Sequence, residues 1–163
     1  MHKDMTILFH RAEDHYLTDG EMICLRHNAK RLKHSLQVYE ILRDNEIRIF
    51  QTVADRLVDA FPQEREKILE DALKHWLAIM RYCGMALLLN SPEYLDHHIL
   101  EWLTDQVKAH QMQTIESKLY KLLKQELETF LPTQEYDVLM PFLEQIKNTL
   151  FTSEKVKELV SSH

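Results

Sequence analysis

Glycine and proline are scarce in this chain, with two glycines and four prolines among 163 residues. A sheet protein of this length needs more turn glycine, so the shortage points to a compact all-helical chain. Cysteine is almost missing too. Cys24 and Cys83 form no CxxC or CxxxC pattern, so two reduced cytosolic thiols are expected rather than a disulfide. Positive charge is not in excess. A net charge of −6 argues against general nucleic-acid binding, which needs basic residues to displace counterions. No apolar run reaches the ~18–20 residues of a membrane span. The apolar block at Ala86–Leu89 is cut off by Asn90 and Pro92. The opening MHKDMTILFHRAED has neither the apolar region nor the small-residue cleavage site of a signal peptide. Internal repeats and low-complexity segments are absent.

What is present is globular: 45% hydrophobic and 28% charged residues, enough for one domain with a real core. Apolar spacing predicts seven or eight helices and no strand. A first helix is expected over residues 4–16, with Met5, Leu8, Phe9 and Ala12 on one face. A second runs over 21–34, with Met22, Leu25, Ala29 and Leu32 inward and a basic face of Arg26, Lys30, Arg31 and Lys33. That basic face reads as solvated or as a contact for an acidic partner. The region 35–61 follows, with a polar bend expected at Arg43–Glu46 and an end at Phe61-Pro62.

The central helix is expected over 63–89. Leu69, Ala72, Leu73, Trp76, Leu77, Met80, Cys83, Leu87 and Leu88 are apolar at helical spacing, and Gly84 is read as the place of a close helix crossing. Asn90-Ser91-Pro92-Glu93 is a stop followed by a start, with proline in the next first turn. Further helices are predicted over 93–109, with Trp102 on an edge, then 114–131 and 134–151. Pro141 is expected to disturb the last of these. Residues 152–163 read as a frayed tail.

Arg81-Tyr82-Cys83, the short apolar run after it, and Asn90-Ser91-Pro92-Glu93-Tyr94-Leu95-Asp96 resemble the central helix pair of the phycobiliproteins, the globin-fold light-harvesting subunits of cyanobacterial phycobilisomes. Tyr16-Leu17-Thr18, Arg43-Asp44-Asn45, Phe61-Pro62 and Leu131-Pro132 follow that family's order. The resemblance implies an all-α, globin-like single domain over 1–163. Residues 1–34 would be an N-terminal helical extension, 35–151 the globin-like core and 152–163 a tail. The family attaches a linear tetrapyrrole through a C-x-R-D motif, which needs a thiolate, a cation and a carboxylate. Aligned on Tyr82-Cys83, those roles fall on Leu69, Asp71 and Ala72. The thiol is gone, the cation is reversed in sign and the acceptor is missing, so a pigment-lacking relative is implied. The family pairs subunits through its first two helices, using an acidic residue and an Arg. Here those places hold Arg11 and Ala78.

Residue chemistry offers little else. No Ser–His–Asp ordering and no Gly-rich phosphate loop occur, so a non-catalytic protein is expected. Asp71/His75 and His97/Glu101 are i,i+4 pairs, two ligands each where zinc wants three or four, so no metal site is expected. A haem would have to use His75 or His98. The expectation is therefore a phycobilisome-related protein acting through protein–protein interaction, as a homodimer with a phycobilisome or pigment-pathway protein as partner, in the cytoplasm at phycobilisomes on the thylakoid surface. The alternative is a non-covalent binder or sensor of a linear tetrapyrrole or haem. Its groove would lie beside Asp71, His75 and Trp76.

Overall fold

The computed structural model describes residues 3–106 and 110–161, with the side-chain surroundings of residues 3, 100–112 and 152–161 outside that description. Among the described residues there are six α-helices and no strand: α1 (Lys3–Asp14), α2 (Asp19–Ala60), α3 (Glu66–Leu89), α4 (Pro92–Gln106), α5 (His110–Phe130) and α6 (Thr133–Ser161). The count falls below seven or eight because two expected boundaries do not exist. α2 is one helix of 42 residues, running through both the 34/35 division and the expected bend at Arg43–Glu46. From Glu21 to Phe61 the sequence holds no glycine or proline to break it. The polar residues of the supposed bend are served within a helix. Asn45 Nδ2 donates to the Ile41 carbonyl at 2.9 Å, Arg43 pairs with Asp44, and Glu46 reaches Arg81 on α3. At the other end, α6 passes through Pro141 and continues to Ser161 where a frayed tail was expected.

Helix ends follow local chemistry. Thr18 opens α2 with a capping box: its hydroxyl accepts from Glu21 N, and the Glu21 carboxylate accepts from Thr18 N at 2.9 Å. That N–H also holds the Glu21 carboxyl below its usual range. α3 stops where Asn90 turns left-handed, at φ 47° and ψ 48°, a conformation that asparagine tolerates. Ser91 then caps α4 by accepting from Tyr94 N at 3.2 Å, with Pro92 in the first turn.

The core is a single cluster centred on α3 and closed by α2, α5 and α6. Val38, Val53, Leu57, Ala72, Trp76, Cys83, Ala86, Leu119, Leu127, Leu139 and Ile146 are all fully buried. Gly84 is where α2 and α3 close up: a Cβ there would stand 3.2 Å from Tyr39 Cδ2. Polar ties join the helices around this core. Arg56 pairs with the buried Glu126 at 3.2 Å, His34 with Glu135 at 3.1 Å, and Gln145 donates to the Pro92 carbonyl and to Asp96. The expected burial of Leu100, Leu103 and Val107, and the edge position of Trp102, concern side chains outside the described residues.

The N-terminal part is packed differently. α1 contacts α2 and no other described helix. Before Val38, Leu8 is the one buried hydrophobic side chain among the described residues. The face expected to point inward on the first half of α2 is half-covered at best: Met22, Leu25 and Leu32 are intermediate and Ala29 is exposed.

Candidate functional site

Asp71, His75 and Trp76 sit on the first half of α3, but the fold sends them to three different environments. Asp71 points to solvent and pairs with Lys67, one turn earlier, at 3.1 Å. His75 is buried, and its Nδ1 lies 2.8 Å from Glu116 Oε1 on α5. Trp76 is fully buried, its ring 5.7 Å from that of Tyr120. Its Nε1–H has no hydrogen-bond partner, which costs about 1–3 kcal/mol relative to a satisfied donor. The two cavities described below have none of these three residues in their walls.

The positions aligned with the pigment-attachment motif are core and surface. Leu69 and Ala72 are buried apolar side chains, and Asp71 is the exposed member of the Lys67 pair. The thiols differ sharply. Cys83 is fully buried, and loss of hydration pushes its pKa up to about 12, so its nucleophilic thiolate is suppressed. Cys24 is exposed on α2. Among the described residues, no cluster of three or more His, Cys, Asp or Glu side chains has the geometry to hold a metal ion.

His98, the other histidine considered for haem, is held in an aromatic stack. Its ring lies 4.7 Å from Tyr82, nearly parallel, and 4.3 Å from Tyr94. Tyr94 is one turn from His98 on α4, but the sequence could not reveal the Tyr82 stack or the His75–Glu116 contact, because those partners come from different helices.

The more conspicuous surface is the helical arm made by α1 and the first half of α2. Ile7, Phe9 and Ile23 are 45%, 47% and 65% exposed, and Tyr16 at the turn is completely exposed. Arg11, at the position aligned with the family's pairing acid, instead bonds Glu21 at 3.3 Å within the arm. Arg26, Lys30, Arg31 and Lys33 line α2 in a segment with no acidic residue between Glu21 and Glu40. Beside it, His27, Lys30, Arg31 and His34 face Asp137, Val138 and Pro141 of α6 across a shallow cavity of about 410 Å³. An apolar strip with a cationic flank is the composition of a protein-binding surface.

Sequence comparison bears on both regions. The model of the phycobilisome protein family matches residues 7–150, covering the arm from Ile7 onward and all of α2 to α5. None of the curated proteins compared with the chain matches it. The all-α architecture is consistent with the globin-like fold of that family.

Proposed function

Because the chain belongs to the phycobilisome protein family, we propose that it serves phycobilisome biology as a non-catalytic protein-binding subunit that carries no covalent bilin. Its working form is a homodimer joined through α1 and the first half of α2, and it acts on the cytoplasmic face of the thylakoid beside the phycobilisome.

The observation that carries this reading is the unfinished arm. Among the described residues, 4–37 bury one hydrophobic side chain while exposing Ile7, Phe9, Tyr16 and Ile23. An amphipathic helix pair with so little of its apolar face covered is stabilised by a partner surface. A second copy offers the same strip in an isologous arrangement. The chemistry of the α3 face supports the reading without a covalent pigment. Leu69 supplies no thiol, and the nearest cysteine on that helix is sealed in the core.

Two measurements test it. Sedimentation velocity across a wide concentration range should show dimers that Phe9→Asp with Ile23→Asp converts to monomers. A wild-type protein that stays monomeric throughout would remove the dimer. The second is a visible absorption spectrum, before and after acid denaturation, of protein made in a host supplying haem and a linear bilin. No colour should survive denaturation; a colour that does would mean attachment through Cys24 or Cys83.

A further inference from the structure

A cavity of about 360 Å³ lies between α2, α3 and α5. It lies farther along α3 than Asp71 and His75, beside Met80, Arg81, Gly84 and Met85 in the second half of the helix. Its floor is apolar and rigidly placed: Ile49, Phe50, Met80, Leu123 and Leu127 all belong to the buried core. Tyr39, held against Gly84, forms one wall, and the partly exposed Met85 stands at the mouth.

The mouth is polar, and its two guanidiniums are each paired, Arg43 with Asp44 and Arg81 with Glu46. Arg43, Glu46 and Arg81 are the charged residues that line it. Arg81 reaches across from α3 to Glu46 on α2 with two bonds, from Nε at 2.8 Å and from Nη2 at 3.0 Å. A guanidinium has five donors, so the Nη1 edge remains for another acceptor while Glu46 fixes the plane of the group. A cavity of this size is at the small end of ligand sites, which suits a single slender molecule and is too small for a macrocycle.

We propose that this cavity binds a single-chain amphiphile bearing one carboxylate, the apolar chain against the Ile49–Phe50–Leu127 floor and the carboxylate on Arg81. Glu46 acts as a positioning residue for the guanidinium. A cationic amphiphile of the same length would face two guanidiniums whose carboxylate partners are already engaged, so it is disfavoured.

The test is isothermal titration calorimetry of the full chain with sodium dodecanoate below its micelle concentration, and with dodecyltrimethylammonium as the cationic control. Dodecanoate should bind at one site, and the cation should bind at least tenfold more weakly. Arg81→Gln, a change at an exposed side chain, should weaken dodecanoate about tenfold. Arg81→Lys should recover most of that loss because the charge remains. Leu42→Trp should block the cavity, with circular dichroism checking that it folds. No saturable dodecanoate binding to the wild-type protein would overturn the proposal. So would equal affinity for the cation, or an Arg81→Gln variant that binds as tightly as wild type.

Discussion

Replacing Gly84 by alanine tests how closely α2 and α3 pack and whether that contact can yield. Two terms oppose each other. Alanine in place of a mid-helix glycine favours the helix by about 1 kcal/mol. Against this, the new Cβ would stand 3.2 Å from Tyr39 Cδ2 and 3.4 Å from Cε2. The optimum for such carbon pairs is about 3.5–4.0 Å, so the ring must withdraw by a few tenths of an ångström. Tyr39 is half-buried and borders the 360 Å³ cavity, so it has room to do so. The full overpacking penalty of about 1–3 kcal/mol therefore does not apply. Gly84→Ala should stabilise the protein by about 0.5 kcal/mol, which raises the urea midpoint by roughly 0.2–0.5 M at ordinary denaturant slopes. Gly84→Val places a second branch toward α2 and should cost about 2 kcal/mol. The assay is urea unfolding followed by helical circular dichroism. A Gly84→Ala variant destabilised by more than about 1 kcal/mol would show that Tyr39 is immovable. A Gly84→Val variant as stable as wild type would show that the two helices do not meet there.

Three further outcomes are expected. Trp76→Phe removes an unpaired buried N–H along with some packing, so thermal or urea unfolding should place it within about 1 kcal/mol of wild type, whereas Trp76→Ala should lose about 3–5 kcal/mol. Glu116→Leu leaves the buried His75 without its carboxylate and should cost about 3 kcal/mol; in a double-mutant cycle with His75→Leu the pair should lose clearly less than the sum of the singles. Iodoacetamide at pH 8 should label Cys24 alone in the native protein, with Cys83 labelled only after unfolding, as read by mass spectrometry. The Cys83 thiol ordinarily titrates near 9 and is raised to about 12 by burial, so the folded state keeps a proton that the unfolded chain releases. Its contribution to stability is complete below pH 9 and is lost as pH rises toward 12. Cys83→Ala should flatten part of that alkaline decline, the remainder belonging to Tyr120 and Tyr136, which burial also raises.

Much of this fold was legible because helices announce themselves locally. The stop at Asn90 and the start at Pro92 were readable from residue type, since asparagine tolerates the left-handed turn and proline suits a first helical position. Gly84 signalled a close approach, although nothing in the sequence identified Tyr39 as its neighbour. The misreadings share a cause. Arg43–Glu46 looked like a break because four polar residues interrupt an apolar pattern, yet Asn45 bonds back to Ile41 and Glu46 is claimed by Arg81, 35 positions away. Partners that distant cannot be inferred from local spacing. The same holds for the α3 face. Asp71, His75 and Trp76 occupy adjacent turns, but α5 decides their fates by bringing Glu116 to His75 and Tyr120 to Trp76. Periodicity also overstated burial on the arm. Met22, Leu25 and Leu32 show the spacing of an inward face, and within one copy of the chain nothing covers them fully.

We propose that the dimer joined through the exposed strip on α1 and α2 is the form that meets phycobilisome components. The most direct measurement is parallel affinity capture from a cyanobacterial lysate with the wild-type chain and with a Phe9→Asp, Tyr16→Asp, Ile23→Asp variant, quantified by mass spectrometry. The wild-type protein should recover phycobilisome subunits, and the variant, folded by circular dichroism, should lose them at least tenfold. Equal recovery by both proteins, or none by the wild type, would contradict the account.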